Sequence, residues 1–391
     1  MIMHVSGHLA VMNTPMLELA GIGATTPDPA GGVIRREADG RTPNGVLEET
    51  AAMLGWGHAG MEGNEVANLL AGMRQYARNG ITTAQEGYLA AQAWNMIPAA
   101  RRVALPIDVV VLLGGRDQWP EAVLKQIGKP YDKRIRIGGF KFMLDGSPQG
   151  RTAYLTQPVW VAPEGKDPSY RGYPVVEDAW LKERFALAAR NDWQVFAHAN
   201  GDAAMDMLIE AVRDSGLAGH RTIAIHAQVT RPDQLPQMRD LDIQPSFFAN
   251  HTWYWGDWHR EVALGPERAD FISPQKSAWN AGLRPTIHND APVVPPDIMR
   301  LLWSAVNRRT QSGDILGAAE RMDVYRALQE VTVNAAWQIR EDDAKGTIAT
   351  GKRADFVILD RNPLETPAQD LAAIRVMATI KDGVTVFSEA R

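Results

Sequence analysis

Lys141, His198, His226 and Asp290 are the residues of this chain whose types and positions could do chemistry together. Each sits at or just beyond the C-terminal end of a short apolar run: GGFKFMLDG, WQVFAHAN, TIAIHAQ and RPTIHND. A helical or polar stretch follows each run. Burying Lys, His or Asp at the end of an apolar strand is costly unless those groups share a partner. In a closed parallel barrel the C-terminal strand ends all open on one mouth. Two neutral imidazoles, a carboxylate and a lysine gathered there suit a divalent metal and a water activated for hydrolysis.

Each residue also has an ordinary reading. Lys141 could pair with Asp145; otherwise it could take up CO₂ as a carbamate and so become an oxygen ligand. His198 and His226 could be hydrogen-bonded core histidines; two at successive strand ends bring a shared ligand role level with that reading. Asp202 could cap the helix that follows His198 or orient its imidazole. Asp290 is either a helix cap or a ligand that also takes a proton from the activated water. His288, two residues earlier, is placed as an outer group behind the ligands.

His251, Trp253, Tyr254, Trp255, Asp257, Trp258 and His259 crowd one segment, read as a loop. Aromatics at a barrel mouth suit an apolar substrate pocket, so His251, Trp253 and Trp255 are the candidate substrate contacts. The alternative is a packed surface loop. His4 and His8 form an HxxxH pair, but the Ser-Gly between them favours a loop. Gly346–Lys352 reads GxxxxGK, yet Arg353 stands where a phosphate-binding loop needs Ser or Thr, and a strand pattern follows. That motif is rejected.

The elements that must position these residues alternate from Gly80 onward. Candidate strands are Gly80–Ala84, Ile107–Leu113, Arg134–Met143, Gln194–His198, Thr222–His226, Ile243–Phe248 and Arg284–His288. Helical patterns lie between most of them, clearest at Gly201–Ser215 with Gly216 as the stop. Strand-helix alternation implies a parallel sheet. Seven strands are one short of a closed eight-stranded barrel, and the missing one should come first. The first 70 residues read as a loop (TTPDPAGGVIRREADGRTPNG), then a helix over Gly63–Arg78. After Asp343 the chain reads as short strands, with turns at Asn362–Pro363 and Asp382–Gly383. The expected fold is therefore α/β: a TIM-like barrel with seven of its eight strands, plus a small C-terminal β module. Residues 1–79 form a mouth segment, 80–343 the barrel and 344–391 the tail.

Bulk properties narrow the function. The 391 residues are 45% hydrophobic and 22% charged, which is ordinary globular composition. A net charge of −5 argues against nucleic-acid and anionic-membrane surfaces. With no cysteine, disulfides, thiolate metal sites and cysteine nucleophiles are excluded. Any metal must use His, carboxylate or a modified lysine. The N-terminus is a poor signal peptide and no apolar run spans a bilayer, so a cytoplasmic location is expected. The expected partner is a small-molecule substrate; homo-oligomerisation stays open.

The pattern resembles the metal-dependent amidohydrolase superfamily, and within it amidohydrolase family 3, the group with the N-substituted formamide deformylases. The stretches that carry the resemblance are GHLAVMNTPMLELAGI, GVLEETA, NGITTAQEG, GGFKFMLDGSPQGRTA, FAHANGDAAMD, IHAQ, HTWYWGDWH, HNDAPVVPPD, AVNRRT, GTIATGKRADFVILDRNP and VMATIKDG. The resemblance implies a barrel with a small β-sandwich built from both chain ends. It implies hydrolysis of a C–N bond, usually in a non-peptide amide, by metal-activated water. Carried over by position, Lys141 is a ligand, carbamylated or direct. His198 and His226 are paired ligands, and Asp290 is the last-strand ligand and proton shuttle. His8 and Asn13 match a segment near the substrate mouth. One or two divalent ions are implied, with Zn²⁺ favoured. The family's first strand ends in a His-x-His pair, and this chain contains none. The expectation is a chain lacking the family's N-terminal portion, whose tail strands lack partners. The alternative is an impaired or inactive homologue that only binds. A metal-free barrel enzyme is a third reading.

Overall fold

The computed structural model describes residues 1–58 and 64–389. The N-terminal segment departs from the expected loop. It forms β1 (Ile2–Met3), β2 (Leu9–Val11), β3 (Gly32–Arg36) and β4 (Pro43–Glu49), an antiparallel sheet in the order β1-β2-β4-β3. Its core is Ala10, Met12, Ile34 and Leu47. Asp39 and Gly40 hid the β3–β4 hairpin because they belong to its turn, where Gly40 has φ 68° and the Glu37 N–H donates to the Thr42 carbonyl. The helix that follows runs Glu65–Arg78, and Asn64 Oδ1 accepts from the N–H groups of Val66 and Ala67. Gly63, its expected first residue, lies outside the described residues.

All seven expected strands are present: β5 (Thr83–Leu89), β6 (Asp108–Gly114), β7 (Ile135–Met143), β8 (Gln194–Ala199), β9 (Thr222–His226), β10 (Ile243–Phe247) and β11 (Thr286–Ile287). They form one parallel sheet in the order β11-β10-β9-β8-β7-β6-β5. This is the TIM-like arrangement, curled but with β5 and β11 as its edges; among the described residues no strand joins them. Strands β8 to β10 are buried along their whole length, whereas β5 is mostly half-exposed. Parallel strands covered on both faces favour apolar runs; β8 and β9 largely follow this, whereas β10 (IQPSF) buries Gln244 and Ser246.

Side-chain alternation divides the core in two. Val110, Leu112, Phe196, Ile223 and Ile225 cluster inside the curl. Val111, Leu113, Phe140, Phe142, Ala197 and Ala224 face the helices. By the same period of two, Lys141 and His198 point inward. The Asp202–Ser215 helix covers the outer layer with Ala204, Met205, Leu208, Ile209 and Val212, and stops at left-handed Gly216, φ 81°. None of the described helices is long and apolar enough to cross a membrane.

The tail forms β12 (Phe356–Leu359), β13 (Val376–Lys381) and β14 (Val384–Ser388), an antiparallel sheet in the order β12-β13-β14. The expected Asp382–Gly383 turn joins the last two, both residues at positive φ. The tail strands thus pair with one another. The sheet also docks on the barrel: Thr379 Oγ1 donates to the Ala77 carbonyl at 2.6 Å. Phe356, Val357, Ile358 and Val384 nevertheless remain exposed.

A buried ionic cluster fastens this tail beneath the barrel. Asp108 forms ion pairs with Lys381 at 2.7 Å and Lys345 at 2.8 Å, and accepts a hydrogen bond from Arg134 at 3.1 Å. Lys381 also meets Asp355 at 2.7 Å. Desolvation pushes the Asp108 pKa up, but Lys345 and Lys381 outweigh it and hold the group below the usual carboxylate range. A depressed pKa contributes stability above the unfolded-state value and loses it as pH falls through the folded one. Lys381 keeps Asp355 and Lys345 keeps Glu341 at 2.6 Å, so Asp108→Ala weakens the cluster without stranding a charge and is expected to cost about 1–3 kcal/mol at neutral pH. The deficit should shrink on acidification through the carboxylate range. Urea melts at pH 7 and pH 3 check this; equal melts of variant and wild type at pH 7 would contradict it.

Candidate metal centre

The four residues from separate strand ends meet at one mouth. His198 is the fifth residue of β8, and its ring lies 4.7 Å, centroid to centroid, from that of His226. His226 ends β9 and should by alternation face the helices, because Ile225 faces in. A left-handed backbone at His226 (φ 70°) and Ala227 (φ 46°) breaks the alternation and sets the ring among the other imidazoles. Asp290, three residues past β11, also has positive φ, 54°. Such conformations cost non-glycine residues on the order of 1–3 kcal/mol each and persist where the surroundings enforce them, often at functional sites.

His226, His288 and Asp290 each offer a ligand atom, and these three atoms lie within 4.8 Å of one another. His288 Nε2 sits 3.1 Å from His226 Nδ1, and its Nδ1 sits 2.9 Å from Ser246 Oγ. His288 therefore lies in the donor cluster, not behind it as the sequence suggested.

Burial holds these imidazoles neutral. Desolvation pushes His198 and His226 well below the ordinary histidine range, with neighbouring histidines and Lys141 adding to it. His288 falls to about 3 for the same reasons. Neutral imidazole nitrogens beside a carboxylate form a cation-binding donor set. Lys141, 7% exposed, makes no ion pair within 4 Å among the described residues. Burial lowers its pKa to about 8, against the pull of Asp290 and Glu86. Lys141 is thus not paired with Asp145.

Asp145 instead supports His198, its Oδ1 3.2 Å from Nδ1. The carboxylate is fixed by the N–H groups of Asn200 at 2.9 Å, Gly201 at 2.8 Å and Tyr154 at 3.0 Å. Burial raises it to about 7, those three donors opposing the rise. Asp202, expected to cap the helix or orient His198, does neither. It binds the Thr156 N–H at 2.9 Å, the Thr156 hydroxyl, and Arg231 at 3.2 Å. Sequence proximity favoured Asp202, but its helix turns it away from the imidazole.

The aromatic segment is a helix, His251–Trp258, continued by a π-helical turn at His259–Ala263. His251 is buried at the mouth, its ring 6.0 Å from that of His226 and 4.4 Å from that of Phe248. Trp255 packs beside both at about 6 Å. Trp253 points elsewhere, onto Trp303 at 5.1 Å. Asn13 caps the Thr14–Leu19 helix by accepting from the Met16 N–H, and is exposed. His8 lies at the mouth, its ring 5.1 Å from that of His198. His4 instead bonds Ser6, so HxxxH brings no pair together. Glu49, which binds His8 Nδ1 at 2.7 Å, had no sequence signal beyond its place in GVLEETA.

Residues 1–387 match the amidohydrolase family. The chain is 27% identical over 401 residues to the putative amidohydrolase YtcJ of Bacillus subtilis, covering 98% of this chain and 73% of that protein. It is 27% identical over 395 residues to an N-substituted formamide deformylase of Arthrobacter pascens, covering 97% and 71% respectively. An uncharacterized metal-dependent hydrolase from Pyrococcus furiosus superposes with a TM-score of 0.71 at 24% identity, over 92% of this chain and 71% of that one. By the span of the family match and the strand-end residues just described, the chain belongs to the amidohydrolase family.

Proposed function

We propose that the protein is a metal-dependent hydrolase of a C–N bond in a small non-peptide amide or related molecule. The observation that carries this is the convergence of His226, His288 and Asp290 donor atoms within 4.8 Å, with His198 and Lys141 beside them. His198, His226 and Asp290 would hold the ion, and His288 is placed to join or support them. A divalent metal bound there supplies a Lewis acid for the amide carbonyl and an activated water. Imidazole and oxygen donors without thiolate favour Zn²⁺, in one or two ions.

The protein's own groups do the remaining work. Asp290 takes a proton from the attacking water and passes it to the departing amine nitrogen as the C–N bond breaks. Asp145 keeps the His198 ring in place. Lys141, its pKa lowered to about 8, holds enough neutral amine for Nζ to attack CO₂, lose a proton and become a carbamate, which would add two ligand oxygens. His251 and Trp255 line an apolar approach for the substrate. The family relation to an N-substituted formamide deformylase makes formamides the first substrates to try.

The absence of a His-x-His pair favours a second reading, a binding protein without turnover. Stripping with a chelator and restoring Zn²⁺ tests the first. Turnover of a formamide and acetamide panel should fall to background on stripping and return with metal. Turnover indifferent to chelator would refute the metal reading; metal uptake with no turnover would favour the binding protein.

A further inference from the structure

A cavity of about 270 Å³ lies on the helix side of β7, away from the mouth. Its floor is Phe140 and Phe142, the residues either side of Lys141, whose rings alternation turns outward. The loop Gly115–Trp119, which follows β6, closes one side. Arg184 on the Asp178–Arg190 helix and Trp193 close the other. The loop is held down on the strand: the Gly115 N–H donates to the Lys141 carbonyl at 2.8 Å. A Cβ at position 115 would fall 2.5 Å from the Phe142 ring, so only glycine allows this approach.

The walls are aromatic and fixed by their neighbours. Trp119 Nε1 donates to the Gly114 carbonyl at 2.9 Å, and its ring packs edge-on to Trp94 at 5.9 Å. Phe140 packs on Trp193 at 5.3 Å and Phe142 on Phe185 at 5.2 Å. Two guanidinium groups, Arg116 and Arg184, belong to the lining, and neither forms an ion pair within 4 Å among the described residues. Arg184 lies over the Trp180 ring at 5.6 Å, and its Nε is buried without a hydrogen-bond partner. A buried donor left without an acceptor is costly. The lining has one carboxylate, Asp117, which accepts from the Ala91 N–H at 3.0 Å. One positive charge is therefore left to neutralise.

We propose that this cavity is a binding site for a small aromatic monocarboxylate. Its ring packs against Phe140, Trp119 and Trp193, and its carboxylate takes the hydrogen bonds of Arg184 and Arg116. Guanidinium matches a carboxylate in shape as well as charge, and flat apolar walls match a flat ring. The volume lies at the lower end of small-molecule pockets, which suits one or two fused rings. Walls already held in place spare the ligand the cost of ordering them. The site is separate from the metal centre and does not rest on the hydrolase reading.

The test is titration calorimetry on the full-length Zn²⁺-loaded protein with two probes, naphthoate and the neutral naphthyl methyl ketone of the same shape. Naphthoate should bind at one site per chain with a Kd below about 100 μM. The ketone should bind at least about 10-fold more weakly. Arg184→Met keeps an apolar stem over Trp180 and should weaken naphthoate about 10–100-fold. Arg116→Met should weaken it in the same direction; Arg116 is exposed and lies in a loop, so this variant carries the test should Arg184→Met fold poorly. His226→Ala, which alters only the mouth, should leave the Kd unchanged. No saturable binding, equal affinity for acid and ketone, or a Kd indifferent to both arginine substitutions would overturn the proposal. Binding that is lost in His226→Ala and kept in Arg184→Met would also overturn it, by placing the carboxylate on the metal.

Discussion

His226→Ala protein is expected to retain only a trace of divalent metal and to hydrolyse its amide substrate at least ~10³-fold more slowly than wild type. The size follows from what the ion supplies: several kcal/mol of transition-state stabilisation, at 1.36 kcal/mol per decade of rate. His226 is the residue whose loss should matter most. It touches both His198 and His288, and its donor lies within 4.8 Å of those of His288 and Asp290. Removing it leaves those two as a sparse set. Alanine keeps a Cβ, so the left-handed backbone cost at position 226 remains, and Tm should fall modestly through the lost packing of the buried ring. Metal analysis by mass spectrometry, with a thermal melt, separates loss of the ion from loss of the fold. Full metal content in the variant would remove His226 from the site.

Asp290→Asn should separate proton transfer from metal binding. The amide oxygen keeps the shape and a weaker donor, but it cannot take and return a proton. The expected loss is about 10²–10⁴-fold in kcat, the usual range for a positioned acid-base group. Metal should be retained in large part, because His226, His288 and His198 remain. An activated substrate with a good leaving group should suffer less, since its amine needs no proton to depart. An equal loss for good and poor leaving groups would place Asp290 as a ligand only.

The barrel was legible in the chain because most of its strands are short apolar runs between helical patterns, and because several of those runs end in charged or imidazole side chains. The Asp382–Gly383 turn announced itself by residue type. What escaped the sequence depended on contacts far apart in the chain. Asp145 looked like a partner for Lys141 because it follows the same strand, yet backbone N–H groups at 154, 200 and 201 aim it at His198. Asp202 looked right by proximity and is drawn to Thr156 and Arg231. His288 was placed behind the ligands because Asp290 follows it so closely; only the strand-end geometry shows its ring facing His226. The β3–β4 hairpin was masked by its own turn residues. Trp253 and Trp255 were indistinguishable as aromatics in one run, and the helix sends the first onto Trp303 and the second toward the mouth.

Anomalous diffraction at the zinc absorption edge, on crystals of the Zn²⁺-loaded protein, tests the central claim most directly. The expected result is a peak at the barrel mouth within about 2.0–2.2 Å of a His226 nitrogen and an Asp290 oxygen, with His198 or His288 completing the shell. No peak there, or a peak bound by other side chains while His198, His226 and Asp290 stay apart, would contradict it.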